Sequence, residues 1–514
     1  MTSAGVVSST DVGVLGEMTV RLGGLTGRTC AVIVAALLFT ASVVPGTSRF
    51  QAPLDPAVAS GATALVRVAH GAAGAVAAEA RAAGASDMNT LDAIDVVTAQ
   101  LTPAALQTLR SDPRVAFIAA DTIVSEAGRD PHFENDNVKP SPALAVLGAD
   151  RAWTTATGRG VTVALMDSGI AEHPDLEGSV VLRRDFVNDA ATQLDPGGHG
   201  TFMAGLIAAH GSTFKGVAPD AKLVSLRVLD ASGKGKLHAV LAGFDWLLKN
   251  HGAYRIGVLN LSLGAPQATT YHKELMAGVV ESAWFAGIAV IAAAGNGGPS
   301  KGTVAIPGAD PFVVTVGSLA DQGTPGSGDD RESVFSGRGP TKDGFTKPDV
   351  LAPGEHVASL RITGTWLDRE APEESGSRQS APGYARLTGT SASTALVAGV
   401  AALVLQAHRS YSPTEVKGAL VAAGRRITGS NTPGADAARS LSVQPARVNM
   451  GLRPSLVLVK VLAENGSLAG GLVRWETVSW ETVSWEAVTW ESVTWESVTW
   501  EGVAWESVAW EGLP

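Results

Sequence analysis

Four short segments of the chain carry side chains that together could cleave an acyl bond. In chain order they supply an acid, a base, an amide donor and a hydroxyl nucleophile: Asp167, His199, Asn296 and Ser391. A serine hydroxyl becomes nucleophilic when an imidazole takes its proton, and a carboxylate can hold that imidazole in the required tautomer. Each segment alone is ordinary turn chemistry, but all four in one order predict a catalytic set.

The order of acid, base and nucleophile separates this set from two common hydrolase classes. Chymotrypsin-like enzymes run His, Asp, Ser, and α/β-hydrolases run Ser, acid, His. An α/β-hydrolase also needs Gly-x-Ser-x-Gly around its nucleophile, whereas the residue two after Ser391 is Ser393. The α/β-hydrolase class is therefore excluded.

The order Asp, His, Ser is that of the subtilisin-like serine peptidases (subtilases, peptidase family S8), which the chain resembles from about residue 144 to residue 440. Three further segments match motifs of that family: Gly216-Val217-Ala218-Pro219, Asn260-Leu261-Ser262-Leu263-Gly264 and Lys347-Pro348-Asp349-Val350-Leu351-Ala352-Pro353-Gly354. The motif that begins at His199 departs from the family pattern at Phe202, where a second histidine is usual. The resemblance implies a serine endopeptidase with an acyl-enzyme intermediate and with Asp167, His199 and Ser391 as its triad.

Asn296 is the predicted donor of an oxyanion hole. The tetrahedral intermediate of acyl transfer carries negative charge on the former carbonyl oxygen, and the Asn296 amide would face that oxygen beside the backbone N–H of Ser391. Losing such a side-chain donor in subtilisin lowers turnover by roughly 10²–10³. A helix predicted after Ser391, apolar through Leu405, would direct its N-terminal dipole at the same charge.

The surrounding sequence predicts the elements that must hold these residues. Short apolar runs at residues 161–166, 258–261 and 288–293 alternate with helical stretches. This alternation is typical of a mostly parallel, doubly wound α/β sheet with helices on both faces. Asp167 and Asn296 follow the ends of two such strands, where open α/β sheets place their sites, and His199 begins a helix that runs to about Ala209.

The family resemblance also implies how a substrate backbone is held. It would lie as an added strand between Ser262-Leu263-Gly264 on one side and Ala293-Ala294-Gly295 on the other. Neither segment contains a charged residue. This favours apolar or broad selectivity for the residue before the cut.

The predicted reaction needs no cofactor, but members of this family often bind structural calcium. Asp185, Asp189 and Asp195 are acidic neighbours before His199. They lack the regular spacing of a calcium loop, so a solvated acidic face is an equal alternative and the metal ligands stay unassigned.

Composition excludes several other classes of protein. The net charge is −10, and residues 475–514 contain eight glutamates and no other charged residue, so the remainder carries only −2. A nearly neutral body argues against a nucleic-acid-binding surface. Cys30 is the only cysteine and lies in an early apolar run, which excludes disulfides, a cysteine nucleophile and thiolate metal sites from the processed protein.

Residues 1–48 have the pattern of a secretory signal. Arg21 and Arg28 precede an apolar run at residues 30–44, which Pro45-Gly46 ends. A membrane-spanning helix needs about 20 apolar residues, so this run is short for one, although an uncleaved N-terminal anchor is the alternative. Either interpretation predicts a protein that is secreted, extracellular or attached to the cell envelope.

Residues 55–128 predict a small α+β, ferredoxin-like unit ahead of the catalytic region. The pattern is strand, helix, strand, helix, strand, and the last strand covers Val115 to Val124. The segment resembles the inhibitory propeptide (inhibitor I9-like) of this peptidase family, with an unrelated appended domain as the alternative. A propeptide would act as an intramolecular inhibitor, and cleavage is expected in the polar stretch from Ser125 to Lys139, near the linker at residues 129–143.

The peptidase-like region at residues 144–440 is followed by a linker at residues 441–474 and a repetitive tail. Eight of the twelve tryptophans recur every five residues from Trp475 to Trp510, each followed by glutamate. A period of five forms no single apolar stripe on a helix or a strand. The tail is thus a low-complexity extension or a segment that docks on a partner, a polymer or the envelope. The sequence predicts a secreted serine endopeptidase made as a zymogen; the alternative is an inactive peptidase-like scaffold that binds through this tail.

Overall fold

The computed structural model describes residues 61–127, 141–326, 328–370 and 383–455. The predictions for residues 1–48, for most of both linkers and for the tryptophan repeats at residues 475–514 lie outside the described residues. The described residues form a small unit (residues 63–120), a connecting strand, and a large unit (residues 141–455).

The small unit is a four-stranded antiparallel sheet with two helices. Its elements are β1 (Thr63–Val68), α1 (Ala73–Ala82), β2 (Ser86–Leu91), β3 (Val96–Gln100), α2 (Pro103–Ser111) and β4 (Val115–Ala120), and the strand order is β2-β3-β1-β4. Thr102 caps α2 by accepting a hydrogen bond from Ala105 N at 3.1 Å, and Pro103 takes the first helical position. Such a cap and a first-position proline favour a helix start at this point.

Two parts of this unit differ from the sequence-based expectation. Strand β2 was not anticipated, because its sequence Ser-Asp-Met-Asn-Thr-Leu is polar and only Leu91 is buried. The strand expected from Val115 to Val124 is instead two strands, because the chain leaves the sheet after Ala120. The second strand, β5 (Ile123–Glu126), pairs with the large unit.

The large unit is built on an eight-stranded sheet in which most neighbouring strands are parallel. Its helices are α3 (Ala143–Leu147), α4 (Ala149–Ala152), α5 (His199–Ala208), α6 (Leu237–Tyr254), α7 (Leu275–Phe285), α8 (Trp366–Glu370), α9 (Thr390–Ala407), α10 (Pro413–Ala422) and α11 (Ala437–Ser440). Its strands are β6 (Thr162–Asp167), β7 (Val180–Asp185), β8 (Lys222–Arg227), β9 (Lys234–Lys236), β10 (Ile256–Leu261), β11 (Leu263–Pro266), β12 (Ala289–Ala293), β13 (Ala305–Ile306), β14 (Val314–Ala320), β15 (Arg331–Glu332), β16 (Val350–Pro353), β17 (Val357–Arg361) and β18 (Gly383–Leu387).

The strand order confirms the predicted mostly parallel α/β sheet. The order is β15-β14-β12-β10-β6-β8-β7, with β16 beside β14. Only β15 is antiparallel to its neighbour in this sheet, as far as the structure describes the chain. Strands β6 and β12 are buried at every position, which explains why their sequences are continuous apolar runs without alternation.

Helix α9 passes through the core beside this sheet. Among the described residues it is the one helix long and apolar enough to cross a membrane by length and composition, and 83% of it is buried inside the protein. It is therefore explained as a core helix. A smaller sheet in the order β13-β11-β5-β9 lies at the carboxyl end of β10 and brings the connecting strand to the large unit.

Candidate active site

The predicted acid and base meet where β6 ends and α5 begins. His199 Nδ1 lies 2.8 Å from Asp167 Oδ1, and that oxygen also accepts a hydrogen bond from Ser168 N at 2.7 Å. Both side chains are almost completely buried. Phe202, which replaces the family's usual histidine, is fully buried in α5 and packs in the core.

Asp195 holds the start of α5 in place. Its Oδ1 accepts hydrogen bonds from Ser168 Oγ and Gly198 N, both at 2.8 Å, and its Oδ2 accepts from Thr201 N at 2.8 Å and from Thr201 Oγ1 at 2.5 Å. Burial raises the pKa of the Asp195 carboxyl, and these hydrogen bonds oppose that rise. The sequence indicated Asp195 only as one of the acidic neighbours before His199. Its place four residues before His199 is the signal for this positioning role.

Three carboxylates surround the His199 imidazole. Burial alone would lower the pKa of His199, but Asp167, Glu126 and Asp195 outweigh it and raise that pKa to about 9. Glu126 belongs to β5, and its carboxylate lies 3.9 Å from His199 Nδ1. Here the base is therefore favoured in its charged form at neutral pH.

Ser391 is the second residue of α9, at the end of the helix where the dipole favours negative charge. Its hydroxyl lies 3.0 Å from Ala127 O and 3.2 Å from Ser262 O, both acceptors. His199 Nε2 has no hydrogen-bond partner among the described residues, so the bond expected between base and nucleophile is not formed. The Ser391 hydroxyl faces the two carbonyl oxygens instead.

Asn296 directs its amide at the same carbonyl oxygen. Its Nδ2 donates to Ala127 O at 3.0 Å, while its Oδ1 accepts from Thr390 N at 3.0 Å and from Thr390 Oγ1 at 2.8 Å. The bonds to Thr390 fix which end of the amide faces the carbonyl. The Ala127 carbonyl is thus held by both the predicted nucleophile and the predicted oxyanion donor.

Strand β5 leads to this carbonyl as an added strand. On one side Glu126 pairs with Leu263 and Ser125 with Gly264, and Ala127 N donates to Ser262 O at 2.9 Å. The segment predicted to bind substrate backbone, Ser262-Leu263-Gly264, therefore binds β5. The other predicted segment, Ala293-Ala294-Gly295, leads directly into Asn296.

The opposite side of β5 pairs with β9, a strand outside the site predicted from the sequence. Ser125 pairs with Lys234 there, and Glu126 N donates to Gly233 O at 2.9 Å. Gly233 has a φ of +69°, and a Cβ at this position would overlap the Glu126 carboxylate. Glycine is thus required both by the backbone and by the neighbouring side chain.

The small unit is fixed to α6 beside this strand. Ala93 N donates to Asp245 Oδ1 at 2.7 Å, and His238 Nδ1 lies 2.8 Å from Asp121 Oδ2. Leu91 and Ile94 are buried in the same apolar cluster as core residues of the large unit. Apolar packing and polar contacts therefore both position β5.

The acidic neighbours considered for calcium do not form one cluster. Asp185 and Asp189 both pair with the buried Arg227 guanidinium, at 2.6 Å and 2.5 Å, while Asp195 points toward Ser168 and Thr201. In the part of the chain that the structure describes, no group of three or more His, Cys, Asp or Glu side chains could hold a metal ion. Structural calcium remains a prediction without assigned ligands.

Comparison with known proteins gives consistent matches over this region. A family model described as the subtilase family (Peptidase_S8) matches residues 158–440. Serine protease AprX of Bacillus subtilis (strain 168) is 37% identical over 335 residues, which cover 63% of this chain and 73% of AprX. Subtilisin E of the same strain is 33% identical over 330 residues, which cover 63% of this chain and 74% of subtilisin E.

A solved structure supports the same fold. Fervidolysin from Fervidobacterium pennivorans, described as a keratinolytic enzyme related to subtilisin, matches with a TM-score of 0.60 at 23% sequence identity. The match covers 75% of this chain and 61% of the fervidolysin chain. At this identity the likeness concerns the fold alone.

Proposed function

Because the chain belongs to the subtilase family and is a serine-type endopeptidase that acts on proteins or peptides, we propose that Asp167, His199 and Ser391 are its catalytic triad and that the chain is made as a zymogen. The observation that carries this proposal is the Ala127 carbonyl, which accepts hydrogen bonds from Ser391 Oγ and Asn296 Nδ2. A carbonyl bonded in this way occupies the position of one about to be attacked.

The proposed reaction follows from these contacts. His199 Nε2 takes the hydroxyl proton as Ser391 Oγ bonds to the carbonyl carbon, and Asp167 stabilises the imidazolium through Nδ1. Asn296 and the Ser391 N–H stabilise the negative oxygen. The amine then leaves with the proton from Nε2, and water hydrolyses the resulting ester, which restores the serine hydroxyl.

The small unit is proposed to be the intramolecular inhibitor. Its contacts with α6 place β5 in the cleft between β11 and β9, where it excludes other substrates. The proposed maturation cut is at the peptide bond after Ala127, which lies within the stretch expected from the sequence. After the cut, the same strand pairing would keep the small unit bound as a product.

Secretion and tail binding belong to the same proposal but rest on the sequence alone. The basic residues and apolar run before Pro45 support export, and the regular tryptophans support contact with a polymer or the envelope, since exposed aromatic rings stack at low entropic cost. The alternative of an inactive scaffold is not favoured, because Ser391 and Asn296 bond one carbonyl and Asp167 pairs with His199, as the proposed reaction requires.

Labelling with a serine-reactive fluorophosphonate tests the catalytic proposal. Processed protein should be labelled and should cut unfolded casein, and Ser391→Ala should lose both properties. Ser393→Ala is the matched control, because this serine lies on the same helix but bonds to Ala352 O at 2.9 Å, away from the acid and base. Wild-type protein that is neither labelled nor active would overturn the proposal.

The position of the maturation cut, and its dependence on Ser391, are tested separately. N-terminal sequencing of the processed protein should begin at Gly128, and Ser391→Ala should remain uncut when no other protease is present. A mature N-terminus elsewhere would refute the assignment of Ala127 as the residue before the cut.

A further inference from the structure

The chain continues past α11 as a strap, residues 445–455, that contains no helix or strand. The strap lies beyond residue 440, where the match to the subtilase family ends, and within the range expected from the sequence to be a linker. Ala446 N donates to Gly418 O at 3.0 Å, and Asn449 Nδ2 donates to Phe312 O at 2.9 Å. These bonds tie the first half of the strap to α10 and to the residues that lead into β14.

The second half of the strap ends in the interior of the large unit. The Tyr271 hydroxyl donates to Arg453 O at 2.5 Å. Ser455 is fully buried, and its backbone N–H lies 2.9 Å from Glu281 Oε1 and 2.8 Å from Glu281 Oε2. One N–H of the strap is therefore shared by both oxygens of a carboxylate on α7.

Glu281 lies where a carboxylate needs such a donor. Its side chain is fully buried, and the Asp310 carboxyl beside it is also buried. Burial and the Asp310 carboxylate raise the pKa of Glu281 well above its ordinary value, and the bonds from Ser455 oppose that rise. A buried carboxylate that loses its hydrogen-bond donors is costly. Withdrawal of the strap would leave Glu281 in this position, so the fold favours the strap in its bound place.

We propose that Glu281 is the docking residue for the strap, and that the docked strap fastens the C-terminal extension to the large unit and protects residues 445–455 from proteolysis. The domain would then extend about fifteen residues past the family match. A protease binds its substrate as an extended strand through backbone groups. The strap cannot bind in this way while Glu281 and Tyr271 hold its backbone N–H and carbonyl groups.

Limited proteolysis of the full Ser391→Ala chain tests the proposal. This variant lacks the proposed nucleophile, so the cuts come from added thermolysin and the test does not depend on the proposed function. Mass spectrometry locates the cuts within residues 445–455 and measures their rate. Glu281→Gln replaces one acceptor oxygen by an amide N–H₂ and should raise that rate by about tenfold or more, because a hydrogen bond to a charged group is lost and cleavage follows the population of the open form.

Glu274→Gln is the matched control, because Glu274 is a buried carboxylate directly before α7 that accepts from Thr269 N at 2.9 Å instead of from the strap. It should leave the rate within about twofold of the parent chain. Ser455→Pro removes the N–H that Glu281 binds, whereas Ser455→Ala keeps it. We expect Ser455→Pro to accelerate cleavage as Glu281→Gln does, and Ser455→Ala to have a smaller effect.

The double variant Glu281→Gln/Ser455→Pro shows whether the two groups act on each other. Its cleavage rate should lie within about twofold of the faster single variant, because both substitutions remove the same interaction. Effects that multiply, or unchanged rates in Glu281→Gln and Ser455→Pro, would overturn the proposal. If Glu281→Gln lowers the melting temperature so far that the chain does not fold, the comparison of Ser455→Pro with Ser455→Ala decides, since both leave the acid in place.

Discussion

Two carboxylates face the same imidazole from different parts of the molecule. Asp167 comes from the end of β6 in the large unit and lies 2.8 Å from His199 Nδ1, whereas Glu126 comes from β5 and lies 3.9 Å from the same nitrogen. After a cut at Ala127, Asp167 stays with the enzyme and Glu126 belongs to the product peptide. The His199 imidazole therefore faces one carboxylate more in the proposed precursor than in the mature enzyme once the product has left.

The largest effect is expected from a substitution of Asp167, the carboxylate that stays with the enzyme after the cut. Asp167→Asn should lower kcat of the processed enzyme by about 10⁴-fold, because the amide no longer holds His199 in the productive tautomer. Steady-state kinetics on a peptide substrate, with melting temperature as a check on folding, measures this loss. A fall of less than tenfold in folded protein would mean that Asp167 does not orient the base.

The second largest effect is expected at Asn296, the proposed oxyanion donor. Asn296→Ala should lower kcat by roughly 10²–10³-fold while KM changes little, because the Nδ2 donor acts mainly on the charge of the intermediate. The same variant should slow self-processing of the precursor, since Asn296 Nδ2 bonds the Ala127 carbonyl at 3.0 Å. A rise in KM at constant kcat would instead assign Asn296 to substrate binding.

The carboxylate of the connecting strand should give a smaller, pH-dependent effect. A protonated His199 cannot accept the serine proton, so self-processing should accelerate as pH rises through the His199 pKa of about 9. Glu126→Gln removes a charge that raises this pKa, so the profile should move to lower pH and processing at neutral pH should become faster. Each pKa unit lost corresponds to roughly a tenfold gain below the pKa.

The control for this shift is Glu79→Gln, which removes a charge from the small unit where it pairs with Arg114 at 2.6 Å. It should leave the profile unchanged. Asp167 and Asp195, the other carboxylates that raise the His199 pKa, are intact in both variants. Identical pH profiles for Glu126→Gln and wild type would show that β5 does not influence the base.

The smallest effect is expected at Gly233, where an added Cβ would overlap the Glu126 carboxylate. Gly233→Ala should destabilise the precursor by about 1–2 kcal/mol from its φ of +69°, and further from overlap with the Glu126 carboxylate. Gly287→Ala carries a φ of +92° with open space around the site, so it measures backbone strain alone. Equal decreases in melting temperature for the two variants would show that the Glu126 side chain moves away from the added Cβ without loss of stability.

The local structure around the proposed catalytic residues was predictable because it depends on short segments of sequence. The strand that ends at Asp167 and the helix that begins at His199 follow from an apolar run and a change of periodicity. The same argument located α9, although the structure begins that helix at Thr390, one residue before the nucleophile. Their roles in catalysis stay predictions until the variants are measured.

The contacts of β5 could not be predicted, because they depend on pairing partners distant in the chain. Residues 123–127 have the local pattern of a continued strand, and only their pairing with β11 and β9 shows that they leave the small sheet. The partners of the acidic neighbours could not be predicted for the same reason. Arg227, which binds Asp185 and Asp189, lies about forty residues further along the chain.

The position of β5 between two strands also determines what shape of substrate can replace it. Neighbouring strands lie about 4.8 Å apart, so β11 and β9 are separated by a slot roughly 10 Å wide with backbone donors and acceptors on both sides. An α-helix is about 10–12 Å across, and its backbone groups are already hydrogen-bonded within the helix. It therefore cannot pair with the two strands that border the slot. The enzyme should therefore select its substrates first by backbone conformation and only then by sequence. It should cleave polypeptides that are already unfolded and leave compact folded proteins intact.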